Sequence, residues 1–272
     1  MSSNVPTKPY GPANRCIYCG ATQYSEDEPN RPLGEEHIIP RALGGELTIL
    51  FATCQKCDNA INKFESYCLN YMFAPIRAQL GIRTGTGKRA KFIRTKIDYD
   101  TKPSARVKVP VEKHPTALVL PRFHYPEALA GFPTGDGGKT MGILEHRPVV
   151  SDFGQRLRAL HPGKVYSAQR VDTRAFRLLL AKIGHSFAMA QFLNEATFKP
   201  LLTSWIRGIN PDTEGLAFYV GSSQSEEAKL ERLYELNLKS ETNPHGRKLV
   251  VVRIRLFGHA GFPSHYVVAG EW

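Results

Sequence analysis

The chain has 272 residues, 42 % hydrophobic and 22 % charged, with a net charge of +11. That length suits one large domain or two of ordinary size. No run approaches the roughly 18 consecutive apolar residues of a membrane helix, and the first residues lack the apolar stretch of a secretory signal. A soluble, cytoplasmic protein with no membrane partner is therefore expected.

The excess charge is local. Residues 1–76 hold 6 Lys and Arg against 8 Asp and Glu, whereas residues 77–113 hold 11 against 3. Clustered positive charge favours a polyanion through phosphate neutralisation and counterion release.

In chain order, the first signal is Cys16 and Cys19 in "CIYC", answered by Cys54 and Cys57 in "CQKC", with Cys68 apart. Paired C-x-x-C knuckles in a chain without an export signal read as a tetrahedral structural zinc site. Cys68 reads as an inert buried thiol. Between the knuckles, "EEHIIP" has the β-branched content of a short strand ended by Pro40, Gly44 and Gly45 form a turn, and "ELTILFATC" is a second strand. Residues 58–80 are read as one helix, with Asp58 and Asn59 at its start and Ile61, Phe64 and Cys68 at helical spacing. Residues 81–89 are expected to be a linker or turn.

Beyond the linker, "KFIRTKIDYD" and "ARVKVPVEK" alternate like half-exposed antiparallel strands, and "TALVLPRF" is a more buried strand. Residues 131–163 are expected to be loops around a short strand, "MGILEH". Residues 174–193 form the strongest helix, apolar enough to be central to a core. "GLAFYVG" predicts a strand, "SEEAKLERLYELN" an exposed helix with acid-to-base pairing, and "RKLVVVRIRLF" with "SHYVVAGEW" a closing hairpin. There is no internal repeat. The expected fold class is α+β: a zinc-knuckled module over residues 1–82, then a mixed α+β domain over 83–272.

The stretches "CIYCG", "EEHIIPRALGG" and "TCQKCDNAINKFE" together resemble the HNH family of ββα-metal nucleases. The resemblance spans residues 16–65, about a fifth of the chain. It implies a phosphodiester hydrolase with a structural Zn²⁺ and a catalytic Mg²⁺ or Mn²⁺. His37 then takes the role of general base, since an imidazole of ordinary pKa about 6.5 can deprotonate water near neutral pH. Glu36 becomes an oxygen ligand of the catalytic ion, as does Asp58, which stands where the family usually has His or Asn. Asn62, one helical turn on, can add a ligand or a hydrogen bond. The family's middle Asn, which hydrogen-bonds the loop carrying the histidine, has no counterpart in "GGELTILFATC". Thr48 stands in roughly its place, and Asn59 is a possible substitute from elsewhere.

Each of these residues has a plainer reading. Glu35 and Glu36 could be exposed strand-end charges, His37 a packed histidine satisfied by a carbonyl, and Asp58 a helix cap. The expectation is a DNA endonuclease acting on double-stranded DNA, with Arg41, Lys63, Lys88, Arg89, Lys91 and Arg94 on the phosphates. Two alternatives remain open: a catalytically inactive zinc-stabilised nucleic-acid-binding protein, and an RNA-directed nuclease. The C-terminal part is left open between target selection, sensing and homodimer formation. "GDGGKT" (135–140) is rejected as a phosphate loop because Pro133 occupies the place of its first glycine. His185 is read as a core or interface histidine. His245, His259 and His265 lack paired ligand spacing.

Overall fold

A computed structural model describes residues 9–82, 87–98, 103, 105–132, 142–160, 164–166 and 169–272. The "GDGGKT" stretch and the centre of the 81–89 linker lie outside the described residues. The architecture mixes helices and sheets, as the sequence implies. Strands β1 (Gly34–His37) and β2 (Thr48–Thr53) form an antiparallel hairpin, and helix α1 (Gln55–Tyr67) follows at once. The helix expected over 58–80 is broken. A π-helical turn occupies Cys68–Met72, and α2 (Ala74–Gln79) restarts beyond it. Pro75 explains the restart, because it has no N–H to donate backwards and is tolerated only in a first turn. The N-cap is Cys54, so Asp58 lies inside the first turn and is not the cap.

Next come β3 (Phe92–Asp98), β4 (Ala105–Pro110), β5 (Ala117–Arg122), α3 (Glu127–Ala130) and β6 (Ile143–Pro148). Helix α4 (Phe153–Leu160) lies in the stretch read as loops, and strand β7 (Lys164–Tyr166) follows that stretch. An Asp152–Arg156 ion pair at 2.7 Å, one helical turn apart, supports α4. Strand β3 pairs with both β4 and β7, and β5 pairs with β6.

The last third holds α5 (Thr173–Gln191), β8 (Lys199–Pro200), α6 (Thr203–Ile206), α7 (Thr213–Tyr219), β9 (Val220–Ser222), β10 (Tyr234–Thr242), β11 (Lys248–Leu256) and β12 (His265–Glu271). Strands run in the order β10-β11-β12-β8, with β9 also on β12.

Two expectations fail here. "GLAFYVG" is mostly the helix α7, because Asp212 caps it by accepting from the Glu214 and Gly215 amides at 2.9 and 3.1 Å. The helix expected over 225–237 is instead a loop leading into β10. Its Glu227 takes Arg253 at 2.6 Å and the Ser264 amide at 2.9 Å, so the charges that suggested helical pairing bind another strand.

Helix α5 organises the interior. Nearly every residue from Ala175 to Ala190 is buried. At Gly184 a β-carbon would lie 2.5 Å from a Val267 methyl, so only glycine lets α5 sit this close to β12. One hydrophobic cluster runs from Cys16 through the α5 residues to Ala269, crossing the boundary expected at 82/83.

Candidate active site

The hairpin and α1 bring the four knuckle cysteines together. Their sulfurs all lie within 4.8 Å of one another, and Cys19 Sγ is 3.6 Å from Cys54 Sγ. Tetrahedral zinc with Zn–S near 2.3 Å separates its sulfurs by about 3.8 Å, so the cluster is compatible with zinc. Three of the four cysteines are buried and Cys19 is exposed. The thiols also polarise one another. Hydrogen bonding with Cys57 pulls Cys16 down to about 5, while the same bond, together with burial, pushes Cys57 up. A cation at the centre would remove that conflict by taking every sulfur as thiolate. Cys68 is fully buried in apolar surroundings, and burial pushes its thiol up.

The paired glycines have a steric cause. A β-carbon on Gly45 would fall 2.0 Å from the Ile39 carbonyl oxygen, so the loop returning from β1 can close only over glycine. This closure sets His37 opposite Thr48 and Glu36 opposite Ile49. Strand alternation then points Glu36 inward while Glu35 remains exposed and His37 half-buried.

Glu36 is 5 % exposed, and both of its oxygens are engaged. Thr53 Oγ1 donates to Oε2 at 2.9 Å, while Lys182 Nζ lies 2.7 Å and Ser186 Oγ 3.4 Å from Oε1. Lys182, from the middle of α5, is 2.9 Å from Glu65 Oε1 and also donates to the His37 carbonyl. Burial works against its charge, but Glu36 and Glu65 outweigh burial and raise its pKa. Burial raises Glu65 and Asp58 in turn, each also facing the Glu36 charge. A hydrogen bond with Asn62 and the charge of Lys182 hold Asp58 back. Two carboxylates, Glu36 and Glu65, therefore share one buried ammonium, and Asp58 feels its charge without touching it.

Burial lowers the pKa of His37; Glu35 opposes this and Lys182 adds to it. The ring is then neutral at pH 7. Its Nδ1 is buried and has no hydrogen-bond partner among the described residues.

The cysteines are the one group of three or more His, Cys, Asp or Glu, among the described residues, close enough to share an ion. Glu36, His37 and Asp58 do not form a second. A hard divalent ion does not require that, since Mg²⁺ keeps several waters and takes one or two carboxylates. The carboxyl groups of Glu36, Glu65 and Asp58 outnumber the one ammonium of Lys182, and Asp58 is only half-buried, which suits such an ion.

Of the cationic residues named from sequence, Arg41 is exposed and close enough to lower the His37 pKa by its charge. Lys63 is exposed on α1, and Lys88, Arg89, Lys91 and Arg94 are exposed before and along β3. Sequence reasoning missed Lys182, Glu65 and Thr53.

Residues 16–69 match the model of the HNH endonuclease family, which supports recognition of this segment as HNH-like. No curated protein and no solved structure matches the chain. Among the described residues, no helix is long and apolar enough to cross a membrane.

Proposed function

We propose that the module, which carries the nucleic-acid chemistry of its family, is a metal-dependent DNA endonuclease with His37 as general base. The observation that carries this reading is the neutral His37 ring, with its orphaned buried Nδ1, beside two carboxylates that share one ammonium and a third, Asp58, within reach of its charge. Asp58 and Glu36 would hold the divalent ion, Asp58 from the more open side. When bound, the ion supplies a Lewis acid that stabilises charge on the scissile phosphate and the leaving oxygen.

The other parts belong to the chain. His37 takes a proton from water as the water oxygen bonds to phosphorus. The bond to the 3′-oxygen breaks, that oxygen takes a proton from solvent water, and the products carry a 5′-phosphate and a 3′-hydroxyl. Asn62 orients Asp58. Arg41 and Lys63 approach the phosphates from the module, and Lys88, Arg89, Lys91 and Arg94 extend that contact along β3. The four-cysteine zinc site fixes the ends of the hairpin. Thiols in this arrangement suit a reducing compartment, which supports a cytoplasmic location.

A second reading, a zinc-stabilised nucleic-acid binder without catalysis, draws on one observation: both Glu36 oxygens are already engaged by protein groups. Supercoiled plasmid separates the two. Nicking or linearisation that needs added Mg²⁺ or Mn²⁺ and is lost in His37→Ala supports the nuclease. Salt-sensitive binding without cleavage supports the binder, and cleavage by His37→Ala removes His37 as the base.

A further inference from the structure

Helix α5 presents three polar side chains, Lys182, His185 and Ser186, at i, i+3 and i+4, on one helical face. All three are at most 2 % exposed, and all three reach the zinc-knuckled module. His185 Nε2 meets the Ile17 carbonyl at 2.9 Å, and Ser186 Oγ meets the Tyr18 hydroxyl at 2.9 Å and Glu36 at 3.4 Å. Lys182 enters deepest. An ammonium has three protons, and this one faces three acceptors: Glu36, Glu65 and the His37 carbonyl.

From this geometry we infer that Lys182 is a positioning residue of the nuclease site. It holds the Glu36 carboxylate and the His37 peptide in one arrangement from outside the segment that resembles a nuclease. The inference rests on the nuclease reading above. Three features favour it. The two groups that Lys182 grips are consecutive in sequence and belong to the acid–His pair. Its ammonium is fully buried and lies against three acceptors at once, two of them carboxylates. Its withdrawal would strand two carboxylates in the interior, so it acts as a fixed clamp and not as a gate that yields to the metal.

The test compares wild type with Lys182→Met in the full chain, loaded with zinc. Zinc stoichiometry and cooperative melting report folding, and Mn²⁺ titration followed by electron paramagnetic resonance reports the acid cluster directly. Partners that orient metal ligands typically contribute 10- to 100-fold in metal affinity, so Lys182→Met should weaken Mn²⁺ binding by about 10-fold or more. On a DNA substrate kcat should fall with KM unchanged, a split that a merely structural role would not produce. Should Lys182→Met fail to fold, Lys182→Met/Glu65→Gln, which also removes one stranded charge, is held to the same expectations. Unchanged or tighter Mn²⁺ binding in a folded variant overturns the inference, as does failure of both variants to fold. A wild type that binds Mn²⁺ in a Lys182-dependent way but never cleaves overturns the nuclease reading and leaves the clamp standing. A wild type that binds no Mn²⁺ overturns both.

Discussion

The zinc-knuckled hairpin and the central helix α5 meet at one cluster of charges but are built on opposite plans. The hairpin is shorter-range: two knuckles, an acid–His pair and a glycine turn, all within residues 16–57. Helix α5 is long-range, and its polar side chains have almost all their partners more than a hundred residues away. Chemistry that is local in sequence is recognisable by motif, whereas the support of that chemistry is not. The comparison also says which perturbations should act on the module alone and which on the whole molecule.

The strongest break is at the four-cysteine cluster. Structural zinc sites contribute on the order of 10 kcal/mol or more to the folding of their domains. Cys57→Ser, which removes one of the buried thiols, should lower zinc content and melting temperature together. Because the core is continuous with α5, circular dichroism should show one transition, not loss of the hairpin alone. Two separated transitions would show that the module is the independent partner.

Next is His37. Removing a general base typically costs 10²- to 10⁴-fold in rate, so plasmid cleavage by His37→Ala should fall by at least about 100-fold. Stability should change little, since its ring is half-buried and its Nδ1 makes no hydrogen bond among the described residues. A large drop in melting temperature would recast His37 as a core residue.

The third test bears on the rest of the fold. Burial holds His185 at about 4 and His265 at about 3, both below the ordinary value of 6.5. As pH falls, the unfolded chain takes up these protons first. The stability present at pH 7 is therefore lost progressively below about 6.5, by roughly 3 kcal/mol per histidine at pH 4. Urea midpoints between pH 7 and 4 should show this slope, and His265→Gln should flatten it by one histidine's share. An unchanged slope would remove His265 as a cause.

The smallest effect is at the surface. Arg94→Ala should weaken DNA binding uniformly across sequences and reduce the salt slope of binding by about 1. Loss of sequence preference instead would place Arg94 on a base edge.

These contrasts explain how much was legible. The cysteine pairs, the acid–His pair and the turn at Gly44–Gly45 carry their meaning in residue type and spacing. Elements misread from sequence failed where a side chain had two equally good uses. Glu227 can pair along a helix or across to Arg253, and the fold takes the second. "GLAFYVG" has strand-forming residues, but Asp212 caps it into a helix. Helical spacing over 58–80 runs on through Pro75, which in the fold opens a new helix. The site residues missed, Lys182, Glu65 and Thr53, have no local signature, although a lone lysine inside "LLLAKIGHSFAMA" was a visible anomaly. A charge in so apolar a run is almost always paired in the interior. That lysine also reaches the peptide of His37, on a hairpin whose second strand lacks the family's asparagine.

The core that runs unbroken from Cys16 to Ala269 separates two boundaries often assumed to coincide. The stretch that can be recognised by kinship ends at residue 69, while the stretch that can be inherited as a working object does not. Transplanted without α5, the hairpin and α1 would carry Glu36 and Glu65 without the Lys182 counter-charge, and an apolar underside with nothing to rest on. Any recombination that moved this module between proteins would have had to carry its lysine helix along, or find another.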